Sequence, residues 1–374
     1  MDRLGFFKQG LSSLFDAAST VVGLKQAANS FVEVVDEALS NIKTDIGLHL
    51  PSLDAGMYDD PEGTLSGVAQ AGYSMIEVGS YCNGKVQDMT PERLKELAHK
   101  AGLKITSAHI NRLYQSSEDS TSEAFENSAD AEAAKRAARW AAMASGATVE
   151  GAAAEESVAE EADGAKDVAV EEGVVRVTEN AEVVEDTTTE DTESKPDPND
   201  EWWCEALNIH KELGCKYIVM SRLPDYPTDE VVAEYATYFN RIGELTAERG
   251  MQFCYHPRQQ ELKMQEGKSA FETIVANTDP EKVHFEIDTY EAVEAGVDVN
   301  ELLKRLTKRV TLLHIHDYGI IGESQKIDFE KIIAEGIRTG VKDIFVEVRN
   351  FSLPPMNCIE RSIYNVESLP SISY

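Results

Sequence analysis

Residues 283–317 read VHFEIDTYEAVEAG (Val283–Gly296), then the helical run VDVNELLKRLTKR, then VTLLHIHD (Val310–Asp317). Two apolar, strand-like segments each end in side chains that bind metals or move protons. Asp288 closes the first; His314, His316 and Asp317 close the second. In a parallel barrel the C-terminal strand ends share one face, where loops build the active site. His284 stands at the start of its strand, on the wrong face, and reads as structural.

Working outward, the same rhythm recurs along the chain. IGLHL (Ile46–Leu50) is a short strand; Asp60-Pro61 opens a helix with an N-cap and a proline at N1; Gly72 ends it; SMIEVG (Ser74–Gly79) follows. Thr90-Pro91 opens the next helix, Gly102 ends it, and LKITSAH (Leu103–His109) follows. LGCKYIVM, RGMQFCYH and TGVKDIFVEV repeat the glycine-then-strand pattern later. Strands are expected to start near Ile46, Ser74, Leu103, Lys216, Met251, Val283, Thr311 and Asp343. Helical segments separate them, including Glu201–Leu213, Thr228–Arg249 and Asp328–Thr339. Strands alternating with helices imply a parallel sheet, and this many units imply a (β/α)8 TIM barrel over 45–374. No GxGxxG follows the first strand and no GxxxxGK[ST] occurs, so a dinucleotide or P-loop fold has no support.

Two regions break the rhythm. After His109 the chain takes over a hundred residues to reach the next strand. Within it, 146–200 lacks aromatic residues and carries eighteen acids against three bases, close to half of the net charge of −32. It reads as a disordered, acidic, low-complexity insertion; a docking segment for a basic partner is the functional alternative. Residues 1–44 read as a helical extension in which Phe31, Val34, Val35 and Leu39 have amphipathic spacing. DRLGFFK (Asp2–Lys8) looks like a twin-arginine export signal without its second arginine. The expected location is cytoplasmic, with export as the alternative. The charge disfavours nucleic acid and anionic membranes as partners, and no apolar run reaches the ~20 residues that span a bilayer. The five cysteines form no CxxC pair and read as reduced.

Placed at the strand ends, the candidate groups are Glu77, His109, His256 with Arg258 and Glu261 beyond it, Asp288, His314, His316, Asp317, Glu347 and Arg349. His49 lies near the end of the first strand. Carboxylates and a histidine delivered by several strands to one rim make a divalent-metal site; one histidine with three carboxylates leans toward Mn²⁺, with Mg²⁺, Co²⁺ and Zn²⁺ as alternatives. Asp288, His314 and Glu347 are the strongest ligands and Glu261 the fourth. His256 and Glu77 are the candidates for proton transfer, and His109, Arg258 and His316 for substrate binding. Asp317 is expected to orient His314 and His316. Arg258 either anchors an anionic substrate group or pairs with a loop carboxylate such as Glu261.

IGLHLPSL, DPEGTLSGVAQAGYSMIEVGSY, GLKITSAHI, WWCEALNIHKELGCKYIVM, YHPRQQEL, VHFEIDTYEAVEAG, LLHIHD and FVEVRNF resemble the xylose-isomerase-like barrel superfamily, in its sugar phosphate isomerase/epimerase group. The resemblance covers about 45–109 and 202–369. It implies a divalent metal held by Glu, Asp, His and Glu at the barrel mouth. The last three fall on Asp288, His314 and Glu347, the first near His256 or Glu261. The chain departs from the group's YHNHDFEF at Tyr255–Leu262, where Arg258 replaces a histidine, and His316 stands where lysine is usual.

The implied activity is a metal-dependent isomerase or epimerase of a sugar or sugar derivative. It would remove the proton next to a carbonyl and stabilise an enediolate. The alternatives are a lyase, dehydratase or glycoside-modifying enzyme on the same site, or a sugar-binding pseudoenzyme. The expected partner is a small carbohydrate, with a homo-oligomer left open.

Overall fold

The computed structural model describes residues 45–114 and 197–372, except 226, 266 and the side chain of Pro198. The expected N-terminal extension and nearly all of the acidic insertion lie outside these residues.

Eight strands close into a parallel barrel: β1 (Ile46–His49), β2 (Met75–Val78), β3 (Lys104–His109), β4 (Tyr217–Met220), β5 (Gln252–Tyr255), β6 (Val283–Asp288), β7 (Val310–His316) and β8 (Asp343–Glu347). Each starts within one residue of its expected position. Neighbours pair in chain order and β8 closes onto β1, with all pairs parallel. One main helix follows each strand: α1 (Pro61–Ala71), α2 (Pro91–Ala101), α3 (Pro198–Leu213), α4 (Asp229–Ala247), α5 (Ala270–Asn277), α6 (Val299–Arg305), α7 (Phe329–Thr339) and α8 (Pro355–Glu367). The chain is a (β/α)8 barrel.

The helix signals work as their chemistry dictates. The Asp60 carboxylate accepts the Gly63 N–H at the start of α1, and Gly72 ends it at φ 116°. Thr90 caps α2 and Gly102 ends it at φ 81°, a left-handed turn that glycine makes at little cost. The third helix begins earlier than expected, at Pro198 rather than Glu201. Proline is favoured in a first turn, and Asp200 is tied to Arg241 of α4 by two hydrogen bonds of 2.9 and 3.2 Å from the same Nε.

Helix and strand faces pack in one outer core, while a smaller inner cluster fills the barrel: Met75, Tyr217, Val219, Cys254, Leu312 and Phe345. The Phe345 ring occupies the space a side chain at Gly47 would need; a Cβ there would lie 2.3 Å from it. That apolar plug floors the barrel beneath the polar strand ends. Register completes the placement. His49 pairs with Glu77 and Glu77 with Ser107. Asp288 pairs with His314, and His316 with Glu347.

Candidate active site at the barrel mouth

Charged side chains would not be tolerated inside a barrel unless each found partners. Here they find one another. Glu77 is fully buried. Its Oε1 accepts the Ser107 hydroxyl at 2.6 Å, and its Oε2 lies 2.7 Å from His49 Nδ1, 2.6 Å from His314 Nε2 and 3.3 Å from His109 Nε2. Burial pushes this carboxyl up, but the facing His109 and His314 imidazoles outweigh it and hold it well below the usual range. The imidazoles respond in kind. Burial lowers His109, yet Glu77 and Glu286 raise it to about 9. His314 is held well above its ordinary value against burial by Glu286 and Glu77.

Nearer the mouth, Asp288 Oδ2 bonds His316 Nδ1 at 3.0 Å, while Oδ1 accepts the Glu291 N–H and so starts a short helix at Thr289–Glu294. Arg349 Nε donates to Glu347 Oε1 at 2.6 Å, and its Nη1 to Glu291 at 3.1 Å. Burial raises the Glu347 carboxyl; Arg349 and His49 outweigh it and keep it ionised.

Of the expected site residues, the structure brings together Glu77, His109, His256, Asp288, His314, His316 and Glu347. Asp288, His314 and Glu347 offer ligand atoms within 4.8 Å of one another. His314 Nδ1 and Glu347 Oε2 face each other at 3.2 Å, both buried and both without a hydrogen-bond partner. His314 Nε2 faces the Glu77 carboxylate and would keep its proton, so a cation bound at the mouth would displace the proton on Nδ1 and take that nitrogen as its ligand. A divalent cation fits such a donor set: two carboxylates, one imidazole lone pair and two orphaned atoms aimed at each other.

Glu261 and Arg258 lie apart from this set. Glu261 accepts from the backbone N–H and the guanidinium of Arg258, in the short helix Gln259–Leu262. It belongs to none of the candidate metal groups among the described residues. Asp317 does not orient the histidines as expected. Its carboxylate accepts the N–H groups of Tyr318 and Gly322 and shapes the loop after β7; Asp288 orients His316 instead. His284 bonds Thr311 at the start of β6, the structural part expected of it.

The residue that the sequence reading missed is Glu286. It is fully buried, and its Oε2 holds His109 Nε2 at 2.9 Å and His256 Nδ1 at 3.0 Å. The signal was present: two residues before Asp288, it shares that residue's face of the strand.

No protein-family model matches the chain. An inosose dehydratase of Geobacillus kaustophilus (strain HTA426) is 26% identical over 157 residues, 37% of this chain and 49% of that protein. The chain spans about half the length of this curated relative. A solved sugar phosphate isomerase/epimerase from Parabacteroides distasonis ATCC 8503 superposes with a TM-score of 0.64 at 23% identity, over 88% of this chain and 100% of that one. The chain shares the (β/α)8 barrel fold of this solved structure. The IolI protein, solved with a bound zinc atom, shares the barrel fold at a TM-score of 0.50 and 11% identity, over 88% of this chain and 99% of that one. No helix among the described residues is long and apolar enough to cross a membrane.

Proposed function

We propose that this xylose-isomerase-like barrel is a metal-dependent isomerase or epimerase of a sugar or sugar derivative, acting by proton removal next to a carbonyl. The observation that carries the reading is the facing, unsatisfied pair of His314 Nδ1 and Glu347 Oε2 beside Asp288. These three residues would hold the ion, and their oxygen-rich set favours Mn²⁺. When bound, the ion would polarise a substrate carbonyl and offset the charge of an enediolate. The zinc in IolI and the sugar chemistry named for the dehydratase and the epimerase support the same reading.

The chain's own residues supply the proton chemistry. His316 and His256 each direct Nδ1 at a buried carboxylate, Asp288 and Glu286. A neutral imidazole that donates through Nδ1 keeps its lone pair on Nε2, the atom that takes and returns a proton. Glu77, both of whose oxygens are occupied, holds His49 and His314 in place. Arg258 is engaged by Glu261, and Arg349 by Glu347 and Glu291. Neither of these two arginines is left for a phosphate, which favours a neutral sugar over a phosphorylated one.

A dehydratase is the second reading, favoured by the Geobacillus relative. The same proton removal leads to loss of water when a hydroxyl sits one carbon further from the carbonyl. Asp288→Asn and Glu347→Gln keep side-chain volume while removing a ligand charge. Each is expected to purify folded with less than a tenth of the wild-type ion at the mouth, measured by elemental analysis. Full retention in both variants would sink the metal assignment.

A further inference from the structure

Beneath the mouth, the strands deliver a second set of ligand atoms that the proposed function does not use as a metal site. Glu286 of β6 meets His109 at the end of β3 and His256 just after β5. Its Oε2 stands 2.9 Å from His109 Nε2 and 3.0 Å from His256 Nδ1. The other oxygen, Oε1, is fully buried, makes no hydrogen bond and points toward His314, whose Nε2 is 3.6 Å away. Hydrogen bonds from the two imidazoles thus account for one carboxylate oxygen and leave its twin in the barrel interior with no hydrogen bond, only the charge of His314 beyond hydrogen-bond distance.

The spacing suits a cation. Metal bonds of ~2.0–2.2 Å place neighbouring ligands of a tetrahedral ion about 3.3 Å apart, a few tenths of an ångström more than the distances observed. Two histidines and one glutamate are also a donor set that catalytic zinc sites use, with a fourth position open. We propose that His109, His256 and Glu286 form a second divalent-cation site, separate from Asp288–His314–Glu347, and that its occupant is Zn²⁺. The two sets differ in chemistry: two nitrogens and a carboxylate inside, two carboxylates and one nitrogen at the mouth. The inner set therefore selects the more nitrogen-loving ion. His314 stands between them, with Nε2 facing Glu77 and Nδ1 facing the mouth, so neither site takes its ligand from the other. With the inner ion in place His256 is a ligand, and proton transfer at the mouth rests on His316.

The inference borrows the mouth site of the proposed function only for the count of ions. The test is metal stoichiometry of the full chain, stripped with chelator, reloaded with excess Zn²⁺, desalted and measured by elemental analysis. Two ions per chain are expected in the wild type, one in Glu286→Gln, one in His256→Asn, one in Glu347→Gln and none in Glu286→Gln combined with Glu347→Gln. A single wild-type ion that is lost in Glu347→Gln but kept in Glu286→Gln overturns the inner site and leaves the proposed function standing. A single ion lost in Glu286→Gln but kept in Glu347→Gln upholds the inner site and overturns the mouth assignment. No bound ion at all overturns both. A wild-type count of two or of none decides the matter even if a variant fails to fold, and for a count of one His256→Asn and Asp288→Asn stand in for a variant that does not fold.

Discussion

Arg258 stands just past β5 with its Nη2 3.0 Å from Glu261 Oε1, while its own N–H donates to Glu261 Oε2 at 2.6 Å. The sequence left two employments open for this arginine, and local geometry favours the pairing over an anionic substrate. Arg258→Ala removes a partner from a buried carboxylate, so it should lower stability by about 1–3 kcal/mol. Urea unfolding checks this, and KM for a neutral sugar should stay within twofold. A large KM effect at unchanged stability would return Arg258 to the substrate. His314 illustrates a second point at this scale. It is a strand-end residue and a candidate ligand, and the structure buries it completely against Glu77. His314→Ala should therefore lose both the ion and about 2–4 kcal/mol of stability, from the cavity and from one donor fewer on the buried Glu77 carboxylate. A denaturation midpoint equal to wild type would show that Ser107, His49 and His109 suffice to hold Glu77.

At the scale of elements, the strands were legible because each has an apolar run within it and five of the eight follow a helix ended by glycine, at Gly72, Gly102, Gly214, Gly250 and Gly340. Glu286 was not, because an acid between Phe285 and Ile287 in an apolar strand looks like an interruption until its face is known. Alternation predicts the face; only the closed barrel shows what shares it. Asp317 failed for the opposite reason, since adjacency to His316 suggested contact while the chain had already turned toward Gly322. The β1–β8 contact gives a packing test. Gly47→Ala would drive a methyl into the Phe345 ring, and overpacking of this kind typically costs about 1–3 kcal/mol. Adding Phe345→Leu should recover part of the loss. An unchanged melting temperature in Gly47→Ala would mean the plug has room to shift.

The third helix carries a pH test. His210 of α3 is buried, with its Nδ1 2.7 Å from the Ala206 carbonyl. Burial disfavours its imidazolium and lowers its pKa from 6.5 to about 4. The unfolded chain therefore binds this proton more readily than the folded one. The stabilising contribution is complete above the unfolded value near 6.5 and is lost as pH falls from there toward about 4. The full loss is roughly 3 kcal/mol. The stability gap between wild type and His210→Gln should narrow in favour of the variant across this window. A gap that does not move with pH would remove His210 as a source of acid sensitivity.

On the scale of the whole molecule, the closed barrel explains why titratable groups distant in sequence form one centre. Glu77 and His314 lie 237 positions apart yet meet at 2.6 Å, because parallel strands all point their C-terminal ends at one rim. The sequence showed which groups reach that rim. It did not show how they divide between the mouth and the layer below, since that depends on register around the barrel. The central claim is metal-dependent proton removal next to a carbonyl, and deuterium exchange reads it most directly. The metal-supplied protein in D2O would be given a panel of neutral ketoses and inososes and followed by NMR. The account predicts exchange of the hydrogen beside the carbonyl of at least one of them, abolished by chelator and by Glu347→Gln. Exchange that persists in both, or no exchange with any sugar by protein that carries its ion, would contradict it.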